Sequence, residues 1–245
     1  MKPALVLLHG WGGHRRVWDE LAARLAADVQ IVAPDLPGHG AAPTITPYNI
    51  ERMVDTLAAA APARCIVAGW SLGGQLALAW ARRHPRQVTR LVLVAATPQF
   101  VSAPDWPHGM ASEVFAEFSA ALARDATAGL RRFLLLQTQG DTQARKVARQ
   151  LEAALVLQAQ PRSSVLVETL HWLRITDLRA MLPEITQPAL VVHGDRDRIA
   201  APAAGEYLAA RLPHARLAML AGAAHVPFMS DPDAMCNLMN DFCND

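Results

Sequence analysis

The sequence predicts an α/β fold: a mostly parallel sheet flanked by helices, with a helical cap inserted between two late strands. Three observations carry this. Short apolar runs recur along the chain, helical patterns separate them, and that rhythm breaks between about residues 101 and 184. The runs are ALVLL (4–8), VQIVA (29–33), CIVAG (65–69), RLVLVA (90–95), PALVVHG (188–194) and ARLAML (215–220). Apolar throughout instead of alternating, they suit strands covered on both faces.

The intervening segments have helical spacing. Val17, Leu21 and Leu25 recur every four residues, and Ile50, Met53, Val54 and Leu57 form the i, i+3, i+4, i+7 stripe of a helix lying on a sheet. In the last helix Asp231 caps, Pro232 suits the first turn, and Met235, Leu238, Met239 and Phe242 line one face. Alternation of strand and helix implies right-handed crossovers and parallel pairing. Across 101–184, Leu130, Phe133, Leu134 and Gln137 suggest one helix, Val147, Leu151, Ala154 and Leu155 a second, and Val165 to Leu173 a third. The expected organisation is a core from 1–100 and 185–245 with a cap from 101–184. Such a cap sits over the strand C-termini, where open α/β sheets bind ligands.

Composition limits the partners. The 245 residues fit one large domain, 52% hydrophobic and 18% charged, as in a compact globular protein. With 23 basic and 22 acidic residues the net charge is +1, so no global field favours nucleic acid or a membrane surface. Cys65, Cys236 and Cys243 are odd in number and unlike a disulfide framework or a zinc site, which suits a reducing cytoplasm. The opening MKPALVLLHG is too brief for a signal peptide, and no apolar segment approaches the ~20 residues that span a bilayer. The expectation is a cytoplasmic protein with no membrane or nucleic-acid partner.

The chemistry centres on GWSLGG (69–74). Gly69-Trp70-Ser71-Leu72-Gly73 matches the G-x-S-x-G elbow, with strand CIVAG before it and helix QLALAWARR after it. The glycines allow strand and helix to approach closely, and the sharp turn lifts the Ser71 hydroxyl clear of the sheet edge. A hydroxyl is a weak nucleophile at neutral pH and needs a general base. His225, in GAAHVPF, follows the last strand and precedes the final helix, completing the chain order serine, acid, histidine. His9 and His39 lie in tight turns suited to backbone hydrogen bonds; His193, at a strand end, is the rival base. After PALVVHG come Asp195 and Asp197. Asp197 has the longer reach toward the histidine loop, whereas Asp195 can cap its own turn. The acid would hold the imidazole tautomer and stabilise the imidazolium. The amides of Leu72 and Trp11 are the candidate oxyanion donors. The Trp11 indole either walls a pocket or fills the core. The reaction class is acyl transfer to water.

LHGWGG, APDLPGHG, GWSLGG, HGDRD and GAAHVPF together resemble the α/β-hydrolase superfamily. VLLHGWG, RRFLLLQTQG followed by ARKVARQ, and AAHVPFMSDP narrow the resemblance to the pimeloyl-[acyl-carrier protein] methyl ester carboxylesterases of biotin synthesis. That resemblance implies a catalytic Ser71, Asp197 and His225, with Trp11, Leu72 and Phe133 around the acyl chain. It implies no metal or other cofactor, and cap arginines that contact the acidic carrier protein. Arg132, Arg145 and Arg149 match those positions, while a fourth falls on Ala128. From 131 to 149, Arg131, Arg132, Arg145, Lys146 and Arg149 stand against a single Asp141, and Arg145 and Arg149 share one helix face. The family opens with a further pair of strands, and this chain starts at what would be their successor, so the expectation is either a shorter sheet with ALVLL or its neighbour nearer the edge, or a true start upstream. A monomer is expected. Three other readings stay open: an esterase or lactonase of small free substrates, a lyase with a similar triad, and a non-catalytic binder on the same scaffold.

Overall fold

A computed structural model describes residues 2–156 and 163–244. Its six strands are β1 (Ala4–Leu8), β2 (Gln30–Val32), β3 (Cys65–Trp70), β4 (Val88–Val94), β5 (Ala189–Gly194) and β6 (Ala215–Leu220). They form one sheet in the order β2-β1-β3-β4-β5-β6, with every neighbouring pair parallel. β1 is therefore one strand from the edge. All six apolar runs became strands, but two are not covered on both faces as expected. β2 is short and only partly buried, and β6 leaves Leu217 and Met219 exposed. Both lie at the rims of the sheet.

Side-chain alternation along the strands supplies two apolar layers. Val6, Leu8, Val67, Leu91 and Val191 face α2 (Ile50–Ala60), α3 (Leu72–Arg83) and α8 (Pro202–Arg211). Leu5, Leu7, Ile66, Val92 and Val192 face α1 (Asp19–Leu25) and α10 (Pro232–Asn244). Burying a leucine or valine side chain in either layer contributes about 2 kcal/mol. Caps set the helix starts. Asn49 Oδ1 accepts from the Arg52 amide at 2.9 Å to open α2, and Asp231 Oδ1 accepts from the Ala234 amide at 2.9 Å to open α10.

Between β4 and β5 the chain forms α4 (Ser112–Arg124), α5 (Ala126–Gln137), α6 (Ala144–Val156) and α7 (Ser163–Ile175), then a 3₁₀ segment over Arg179–Glu184. The three expected helices correspond to α5, α6 and α7. The sequence reading missed α4, although Phe115, Phe118 and Leu122 recur at helical spacing within it. A short helix α9 (Pro227–Ser230) precedes α10. No helix of the described residues is long and apolar enough to cross a membrane. Cys65, Cys236 and Cys243 are free thiols, and burial pushes Cys65 and Cys243 up to about 11.

Candidate active site

The turn between β3 and α3 is built on close backbone approach. A Cβ on Gly69 would lie 2.1 Å from the Gly73 carbonyl oxygen, and one on Gly73 would lie 2.3 Å from the Leu8 carbonyl oxygen. Only glycine lets β1, β3 and α3 meet this tightly. Ser71, between them, is held at φ 55° and ψ −116°, a conformation side-chain-bearing residues rarely adopt. Its amide donates to the Val94 carbonyl at 2.9 Å and its carbonyl accepts from Gly74 at 2.9 Å. The surroundings thus over-determine the strained turn. Leu72 is the first residue of α3, so its N–H belongs to the helix end that lacks intrahelical acceptors and attracts negative charge.

The turn after β1 lies against the same serine. A Cβ on Gly10 would come 3.3 Å from Ser71 Cβ. Trp11 follows directly. It is buried, its Nε1 donates to the Leu166 carbonyl at 3.2 Å, and its ring meets Phe133 edge-on at 5.1 Å. Trp11, Phe133, Phe118, Phe100, Met110, Val114, Leu136, Leu170 and Leu173 line an apolar cavity with Ser71 at its wall. The Trp11 indole is thus both core filler and pocket wall. Phe133 lines this cavity with Ser71, and most of the other lining residues come from the inserted helices, which sequence reasoning did not resolve individually.

Asp197 and His225 meet directly. His225 Nδ1 and Asp197 Oδ2 are 2.8 Å apart, and both side chains are buried. The other oxygen, Asp197 Oδ1, accepts from the amides of Ile199 at 2.8 Å and Ala200 at 3.0 Å. Burial alone would push the Asp197 carboxyl up. The charge of His225 and hydrogen bonds from His193 and His225 outweigh it, and hold the group well below the usual carboxylate range. Asp197 is therefore an ionised acceptor that fixes the proton on His225 Nδ1. His225 Nε2 is buried and makes no hydrogen bond among the described residues.

The histidine is tied to the serine turn through Trp70. Trp70 Nε1 donates to the His225 carbonyl at 2.8 Å, and the two rings lie 5.8 Å apart. On the other side the His225 amide donates to the Gln137 carbonyl at 3.1 Å, at the end of α5. Neither anchor was visible in the sequence, because each partner lies far away along the chain.

The remaining candidates sort cleanly. Asp195 Oδ1 accepts from the Gly222 amide at 2.7 Å and so holds the base of the histidine loop. His193, the rival base, is fully buried; its Nε2 faces the Ala200 carbonyl at 2.8 Å and Asp197 Oδ2 at 3.3 Å. His9 Nε2 accepts from the Leu36 amide, and His39 Nδ1 lies 3.2 Å from the Pro37 carbonyl, in line with the backbone roles expected for them. Arg132 on α5 and Arg145 and Arg149 on α6 are exposed and form no ion pair among the described residues. Asp141, the only acid in that basic stretch, is turned inward and buried. Among the described residues no group of three or more His, Cys, Asp or Glu side chains is arranged to hold a metal ion.

The architecture and the sequence have clear relatives. The model of the alpha/beta hydrolase family matches residues 5–238. A pimeloyl-[acyl-carrier protein] methyl ester esterase of Aromatoleum aromaticum is 43% identical over 98% of each chain. One of the same name from Xanthomonas campestris pv. campestris is 43% identical over 98% of this chain and 94% of its own. Among solved structures, an esterase from Exiguobacterium antarcticum superposes with a TM-score of 0.89 over 99% of this chain and 92% of its own, at 21% identity, a likeness of fold alone. The chain belongs to the alpha/beta hydrolase family and, within it, to the family of the pimeloyl-[acyl-carrier protein] methyl ester esterases.

Proposed function

We propose that the chain is a serine esterase that hydrolyses the methyl ester of pimeloyl-[acyl-carrier protein]. The observation that carries the chemistry is the buried 2.8 Å pairing of His225 with Asp197, with Nε2 left without a partner among the described residues and the His225 ring 5.8 Å from that of Trp70, which precedes the strained Ser71. Ser71 Oγ attacks the ester carbonyl while His225 Nε2 takes its proton. The Trp11 and Leu72 amides stabilise the oxyanion, worth about 3 kcal/mol per donor. The imidazolium, held by Asp197, returns the proton to the departing methoxide, and methanol leaves. Water then enters, gives a proton to His225, attacks the acyl-enzyme and releases the free acid with Ser71 restored.

The substrate follows from the pocket, the surface and the relatives. Residues 101–184 act as a cap, whose Phe133 and neighbouring apolar side chains take the acyl chain. Arg132, Arg145 and Arg149, exposed and without an ion-pair partner among the described residues, would meet an acidic carrier, and the two curated relatives carry that substrate in their names. Asp141 does not dilute this face, since it points into the protein. The protein would act in the cytoplasm as a monomer.

The test compares carrier-linked pimeloyl methyl ester with a free short-chain methyl ester at low and high salt. The carrier-linked ester should be favoured by about tenfold or more at low salt, and the preference should shrink as salt rises. Equal, salt-insensitive rates would contradict carrier recognition.

A further inference from the structure

Asp141 belongs to the turn between α5 and α6, yet its carboxylate reaches the loop that carries His225. Oδ2 accepts from the Ala224 amide at 2.9 Å and from the Ser230 hydroxyl, and Oδ1 accepts from the Gln143 amide at 2.7 Å. Every group facing it is a donor, which suits a buried acceptor-only carboxylate. Ala224 precedes His225, and Ser230 ends α9 just after it. The same turn adds Thr142, whose amide donates to the Gly222 carbonyl at 2.9 Å, while the Gln137 carbonyl receives the His225 amide at 3.1 Å.

We infer that Asp141 is a positioning residue for the proposed reaction: from the cap it clamps both flanks of the His225 loop and so fixes the imidazole between Asp197 and Ser71. The inference rests on the reading of His225 as general base. Asp141→Asn keeps the size but replaces one acceptor with an NH₂ that must face a donor. Facing Ala224 and Ser230, the NH₂ breaks the clamp directly; facing Gln143, it frees the turn that aims the remaining oxygen, so the clamp slackens either way. Displacements of this kind cost rate without weakening substrate binding.

The experiment uses the full chain and p-nitrophenyl butyrate, with active sites counted by a serine-directed phosphonate. For Asp141→Asn, kcat per counted site should fall by about tenfold or more with KM within about twofold. A purely structural role would lower the number of sites and leave kcat per site unchanged; that result overturns the inference. If Asp141→Asn yields no countable sites, Ser230→Ala decides. A drop of about threefold in kcat per site at constant KM supports the clamp, and a wild-type value overturns it. Full activity in His225→Ala would instead remove the general-base reading itself.

Discussion

At the residue scale the account turns on which groups face Ser71. Asp197→Asn should lower kcat about ten-thousandfold while leaving KM nearly unchanged, since the amide no longer fixes the proton on His225 Nδ1. Steady-state kinetics on a free ester checks this, and a loss below tenfold would assign the acid elsewhere. Ser71, His225 and Asp197 could be singled out in the sequence because each sits in a short motif at a strand end, and motifs are local; the His225–Asp197 pairing itself is seen only in the fold. The roles of Trp70, Gln137 and Asp141 were not. Trp70 meets His225 across 155 positions and Asp141 meets Ala224 across 83, and nothing in their own neighbourhoods signals those partners. His193 was legible only as a rival base; that it shares Asp197 Oδ2 emerges from the three-dimensional arrangement.

At the element scale, the strand and helix pairs that make the turn have no slack. Gly73→Ala should destabilise the protein by about 3 kcal/mol, because its Cβ would meet the Leu8 carbonyl oxygen at 2.3 Å and the backbone there cannot yield cheaply. Urea denaturation reads this directly, and an unchanged midpoint would mean that β1 and α3 can separate. The exposed face of α6 gives the opposite kind of expectation. Arg145→Glu with Arg149→Glu should reduce kcat/KM for the carrier-linked ester by about tenfold or more, with the free ester unaffected. Equal losses on both substrates would place the arginines' effect inside the fold. Buried strands such as β3 and β5 announced themselves as continuous apolar runs, as did the amphipathic helices α2 and α10. The exposure of β2 and β6 was not legible, because a run of apolar residues does not state whether its strand ends up central or at a rim. α4 carries an aromatic stripe, but its many alanines blur the contrast between its faces.

For the whole molecule, buried imidazoles set an acid limit on stability. Desolvation lowers His39 to about 4, with His14 adding to it and the Pro37 carbonyl and Asp35 opposing it. Desolvation and the neighbouring His39 hold His9 well below its ordinary value. The unfolded chain binds protons at these rings below about pH 6.5, whereas in the folded chain His39 does not until near pH 4 and His9 is held well below its ordinary value, so stability falls as pH drops below about 6.5. Each ring contributes a slope of up to about 1.4 kcal/mol per pH unit. Asp197 acts lower, its contribution being complete above about pH 4 and lost as acid protonates the folded carboxyl. Denaturation midpoints should therefore fall between pH 7 and pH 5, and less steeply in His39→Gln; a flat profile would contradict neutral burial. The central claim is that one fold gathers Ser71, His225 and Asp197 at a single rim. Its most direct measurement is mass spectrometry after treatment with a serine-directed phosphonate. The expected result is a single adduct on Ser71, formed at least a thousandfold more slowly in His225→Ala. An unlabelled Ser71, or labelling at the same rate without His225, would contradict the account.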